Sequence, residues 1–137
     1  MRKDIKIPVV ENIAVAVVEE LNEEKTHNIY NVYFINLTDD IVENVLVTSK
    51  GYGENKTTGE QIKTSLLRHN LGLLIPNQFM KIEPIMEDVF GINNEYWVSF
   101  FIQNQMMDKK FVFLAETIQK SNFTTIPIIN KKGVLIK

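Results

Sequence analysis

At 137 residues and a formal net charge of −2, the chain has the length of one domain and no electrostatic case for binding nucleic acid or an anionic membrane. Hydrophobic residues make up 45% and charged residues 23%, an ordinary balance for a globular core. The lack of cysteine excludes disulfides, thiolate chemistry and cysteine metal sites, and it favours a reducing compartment.

The N-terminus, Met1 to Lys6, has charges but no long apolar run behind it that would make a targeting segment, and Ile5-Lys6-Ile7 reads as a short strand stopped by Pro8. Ile13 to Glu20 fits either a strand or a helix; its valine density favours the strand, and it is too short to span a bilayer. Glu19, Glu20, Glu23 and Glu24 form a solvated acidic rim without the spacing of a calcium loop. Ile29 to Leu37 is a strand with apolar residues on both faces, and Ile41 to Ser49 is the next, with Val45 and Val47 alternating against Leu46 and Thr48.

Lys50 to Glu60 is the longest polar, glycine-bearing stretch and reads as a flexible hairpin loop. Gly51, Gly53 and Gly59 lack the spacing of a dinucleotide loop, and no G-K-[ST] follows. Loops on rigid scaffolds carry function, so Tyr52 and Gly53 are the candidate ligand-loop residues.

Gln61 to Ile75 holds Ser65, Arg68 and His69, the one set resembling a catalytic group. On a strand, Ser65 and His69 sit roughly 13 Å apart, whereas a serine–histidine dyad needs about 2.6–3.2 Å. The expectation is a strand with His69 as a polar surface residue. Phe79 to Met86 follows, with Met80 and Ile82 expected inward and Lys81 and Glu83 outward. Glu87 and Asp88 are adjacent acids on a loop, a poor arrangement for convergent acid–base or metal chemistry.

The densest aromatic segment is Asn94 to Asn104, which carries the single tryptophan and pairs with a return strand over Lys110 to Ala115. Alternation places Tyr96, Val98, Phe100 and Ile102 on the core face, and Trp97 and Phe101 on the other. Trp97 and Phe101 are therefore either covered by a terminal segment or form an interface. Glu116 to Asn122 reads as a short helix or crossover, and Thr124 to Ile129 and Gly133 to Ile136 as terminal strands that tie down the C-terminus, over Trp97 and Phe101 in the simplest packing.

Many strands at short spacing predict an all-β fold over residues 1–137. The expected form is a single antiparallel β-sandwich of about eight or nine strands, resembling immunoglobulin-like and fibronectin-like modules in architecture. The wording of Val10-Glu11-Asn12, Ala14 to Val18, Gly51-Tyr52-Gly53 and Asn93 to Val98 resembles a family of small uncharacterised bacterial β-rich proteins, some labelled as related to phenylalanyl-tRNA synthetase. That resemblance implies no catalytic residues here: the arginine-bearing motifs that hold ATP in a class II synthetase do not map onto Arg2 and Arg68, the only arginines.

No catalytic, cofactor or metal signature emerges. The expectation is a cytoplasmic, non-catalytic interaction or assembly module that forms a homodimer, or meets a protein partner, through Trp97 and Phe101. The alternative is a small-molecule-binding β protein with its site under the Gly51–Glu60 loop.

Overall fold

The computed structural model describes residues 9–137, so the strand expected at Ile5–Ile7 lies outside it. The described residues form ten strands: β1 (Ile13–Leu21), β2 (Asn28–Asn36), β3 (Val42–Glu54), β4 (Gln61–Lys63), β5 (Leu67–Leu74), β6 (Phe79–Pro84), β7 (Asn93–Ile102), β8 (Gln105–Phe113), β9 (Thr124–Thr125) and β10 (Lys132–Ile136). Helix among the described residues is limited to two 3₁₀ turns, Glu87–Val89 and Lys120–Asn122.

The strands make two antiparallel sheets. The first has the order β6-β2-β1-β10-β9. The second runs β4-β3-β7-β8, with β5 pairing the same edge of β3 as β4 but further toward its N-terminal end. In this order β1, β2 and β6 take the places of strands A, B and E of an immunoglobulin-like sandwich, and β3, β7 and β8 those of C, F and G. β9 and β10 extend the first sheet beyond that frame.

The main core lies between the sheets. Ile13, Val15, Val17, Val32 and Phe34 of the first sheet face Val45, Val47, Tyr96, Val98, Phe100, Phe111 and Phe113 of the second. β1 is buried on both faces, which explains its unbroken apolar run. Its other face, Ala14, Ala16 and Val18, together with Ile35 forms a second small core under Ile126, flanked by Ile129 and Leu135. The small alanines leave room for this cover.

The C-terminal segment thus lies over the outer face of β1 and β2, not over Trp97 and Phe101. β10 approaches β1 so closely that a Cβ on Gly133 would stand 2.0 Å from the Val17 carbonyl oxygen. Only Thr124–Thr125 of the expected 124–129 strand pairs; after Pro127 the chain turns through Ile128 at φ +71°.

Other boundaries also move. β3 runs to Glu54, so the stretch read as a loop is strand for its first half and turns only at 55–60. Gly51 and Gly53 lie in that strand because Thr64 and Ile92 fill the space a side chain would need, with atoms 2.9 and 2.8 Å from the respective Cβ positions. The span 61–75 is two strands rather than one. The β7–β8 hairpin closes on two residues, Gln103 and Asn104, both at positive φ, as a type I′ turn demands. The return strand therefore begins at Gln105.

Candidate functional site

Two features stand out against this frame. The first lies inside, at the open edge between β5, β3 and β6. A β-bulge in β6 places Lys81 opposite Tyr33 and Glu83 opposite Val32, leaving Ile82 as the extra residue. Paired residues share a face, so the bulge turns Glu83 inward with the core valine. The alternation expected from the sequence, with Glu83 outward, fails at that one inserted residue.

Glu83 meets three donors from the opposite sheet. Its Oε1 accepts from Ser49 Oγ at 2.7 Å and lies 2.7 Å from His69 Nε2; its Oε2 accepts from Tyr96 OH at 3.0 Å. Its side chain is only 14% exposed. His69 is thus only partly at the surface: it pairs opposite Val47 and faces inward, its side chain a quarter exposed. Burial, then the charge of Glu83 and the bond it accepts, push the Tyr96 phenol above its ordinary range, so Tyr96 remains a donor.

This is not a hydrolytic relay. In such a relay the histidine stands between serine and acid, whereas here Ser49 and His69 converge on one carboxylate oxygen. Ser65 lies between β4 and β5, outside both strands. Glu87 and Asp88 begin a 3₁₀ turn, and no group of three or more His, Asp or Glu side chains among the described residues could hold a metal ion.

A cavity of about 260 Å³ opens beside Glu83, its lining including Ser49, Gly51, Thr64, Ser65, Asn94 and Tyr96. It touches β3 at Ser49, Lys50 and Gly51, and no residue from 52 to 60 lines it. Of the candidate loop residues, Tyr52 is half-buried with Lys50 Nζ 5.8 Å from its ring, and Gly53 is packed against Ile92.

The second feature is the outer face of β5-β3-β7-β8. Trp97 is 47% exposed, and Lys110 Nζ lies 5.0 Å from the centre of its ring. Register puts Arg68, Thr48, Trp97 and Lys110 in one row across the sheet, Asn70, Leu46, Ser99 and Asp108 in the next, and Phe101 beside Met106. Leu46 and Met106 are exposed and Phe101 is half-buried. A shallow depression of about 410 Å³ runs beside Trp97 and Leu46. Glu95 is buried between Lys50 (3.8 Å) and Lys110 (4.0 Å), which anchors both lysines to the sheet.

Trp97 and Phe101 therefore lie on one face of β7 with Ser99 between them, as strand alternation required. The Glu83 cluster was missed. Its one signal in the sequence is three polar residues in phase with core positions: Ser49 with Val47, His69 with Leu71, and Tyr96 with Val98. No helix among the described residues is long and apolar enough to cross a membrane. Comparison of the chain with family models, with curated proteins and with solved structures returns no match.

Proposed function

We propose that this protein is a non-catalytic assembly module that self-associates through the outer face of β5-β3-β7-β8. One contrast carries the reading. Both sheets carry large apolar side chains on their outer faces; the chain covers those of β1 and β2 with its own Ile126 and Ile129, whereas Trp97, Leu46 and Met106, set among polar residues, stay exposed. Leaving a large aromatic in water forgoes burial of much of its ~150–250 Å², and an apolar patch with a polar rim is how interaction surfaces look. The rim carries both signs, Arg68 and Lys110 against Asp108, so a second copy of the same face can match it.

The size of the face sets the strength. Four strands at ~4.8 Å spacing and about seven residues at ~3.3 Å rise give a projected area of roughly 450 Å². Two such faces bury an area at the small end of specific interfaces, so the dimer is weak and concentration-dependent. The lack of cysteine fits a cytoplasmic site of action.

Trp97 is the only tryptophan, so it reports directly. Sedimentation velocity and tryptophan emission are followed from low micromolar to near-millimolar protein. The expected result is a rising sedimentation coefficient with a matching blue shift, and no rise in sedimentation coefficient for Leu46→Glu or Trp97→Ala. A chain that sediments as a monomer throughout, or variants that associate like the parent, would exclude this face as a self-association surface.

A further inference from the structure

The cavity beside Glu83 has a chemical bias that follows from its hydrogen-bond accounting. Ser49 and Tyr96 each give their one hydroxyl hydrogen to Glu83. Thr64 accepts from the Gly51 amide and donates to the Ser65 carbonyl. Asn94 spends its amide group on the Val89 and Ile92 carbonyls, so what it can offer a ligand is Oδ1. Glu83 accepts three bonds where a carboxylate has about four acceptor positions. The donors of Ser49, Thr64, Tyr96 and Asn94 are thus committed within the protein; the Ser65 hydroxyl, which can donate or accept, is the exception, and the other polar groups left over accept. Asp88 adds a second carboxylate at the cavity, and Lys50, the one cation lining it, is anchored toward Glu95.

Leu67, Ile85 and Val89 supply an apolar part of the lining. A lining rich in acceptors, with two carboxylates, selects a ligand that brings several hydrogens and a positive charge, and the apolar part selects a short hydrocarbon. A divalent cation would need more carboxylate or imidazole ligands than converge here. At about 260 Å³ the space falls just under the ~300–1,000 Å³ of drug-sized sites.

We propose that this cavity is a binding site for a small aliphatic primary amine, its ammonium group held by Glu83 and the acceptors around it and its alkyl chain lying against Leu67, Ile85 and Val89. Glu83 sits at the centre because the β6 bulge aims it there and three donors hold its carboxylate in place. Asp88, also in the lining, adds attraction, and the site is independent of the Trp97 face.

The test is titration of the isotope-labelled full chain with pentylamine, followed by backbone amide shifts, with pentanol and pentanoate as isosteric controls. Pentylamine is expected to give saturable shifts at Gly51, Ser65, Val89 and Asn94, and the controls none. Asp88→Asn should weaken binding several-fold. Leu67→Arg, which places a guanidinium at an exposed position on the cavity wall, should abolish it while the rest of the spectrum is unchanged. Glu83→Gln, if its spectrum shows a folded chain, should weaken it at least about tenfold, the loss expected for a charge-assisted bond. No saturable shift with pentylamine, equal shifts with pentanol or pentanoate, or unchanged binding in both Asp88→Asn and Leu67→Arg would each overturn the proposal.

Discussion

Replacing Glu83 by alanine tests whether the inward-turned carboxylate is the tie between the two sheets. The substitution leaves three donors without an acceptor. Ser49 and Tyr96 are 3% and 2% exposed, so both lose their partner in a dry setting; His69 is a quarter exposed and can turn to water. Two buried unsatisfied donors cost about 1–3 kcal/mol each, roughly 2–6 kcal/mol together. Two effects reduce this: a carboxylate no longer has to be desolvated, and the adjoining cavity can admit a bridging water. The expected loss is therefore near the low end, about 2–3 kcal/mol. With a urea slope of about 1.5–2 kcal/mol/M, the midpoint falls by about 1–2 M.

A double-mutant cycle with Tyr96→Phe gives the sharper reading. In the parent, Tyr96→Phe removes a bond to a charged acceptor and should cost about 1.5–3 kcal/mol. In the Glu83→Ala background it removes an orphaned hydroxyl and should be neutral or slightly stabilising. A Glu83→Ala chain within about 0.5 kcal/mol of the parent, below the range for a lost buried network, would refute the reasoning. So would a Tyr96→Phe cost that is the same in both backgrounds.

Glu20 yields a pH prediction. Burial raises its pKa, but bonds from Lys131, Tyr33 and Asn31 and the charge of Lys131 outweigh this and leave it below 4.5. A carboxyl with a depressed folded pKa binds fewer protons folded than unfolded, so its contribution is full well above 4.5 and fades as pH falls from there through the folded value. Urea midpoints between pH 7 and pH 3 should fall less steeply for Glu20→Gln than for the parent; equal slopes would contradict the assignment. Ile126→Ala empties the cover over Ala14 and Ala16 and should cost about 2–4 kcal/mol, with faster amide exchange concentrated in 126–136 by hydrogen-exchange mass spectrometry. Gly133→Ala drives a methyl into the Val17 carbonyl of the paired strand, a contact with backbone that cannot swing aside. It should cost about 3 kcal/mol or more, seen as a large drop in melting temperature; a near-parent value would mean β10 has another register.

Most strands were legible because their residues declare themselves. Valines and aromatics with period-two alternation form strands whatever their neighbours, and the faces of β7 followed directly: Tyr96, Val98 and Phe100 are buried and Trp97 is not. The all-β sandwich follows from that patterning too, since half-apolar strands at short spacing can bury their apolar faces only against each other. The positions of glycines are another matter. Gly51 and Gly53 look like loop residues until Thr64 and Ile92, which lie further along the chain and outside its strands, are seen to occupy their side-chain space.

What tertiary structure alone decided is where exceptions to alternation fall and which surface covers which. One extra residue in β6 reverses Glu83, and nothing local to Phe79–Pro84 announces it, because a bulge is defined by the partner strand it mismatches. The cluster of Ser49, His69, Glu83 and Tyr96 draws on β3, β5, β6 and β7, so it exists only when both sheets are assembled. The C-terminal cover could have served either sheet by its composition. It closes over β1 and β2 because β10 extends the first sheet there, and the alanines of β1 leave the space that Ile126 fills. Hydrophobic pattern is a property of the chain and is read from it; the choice between two apolar faces is a property of packing, and only the folded molecule makes it.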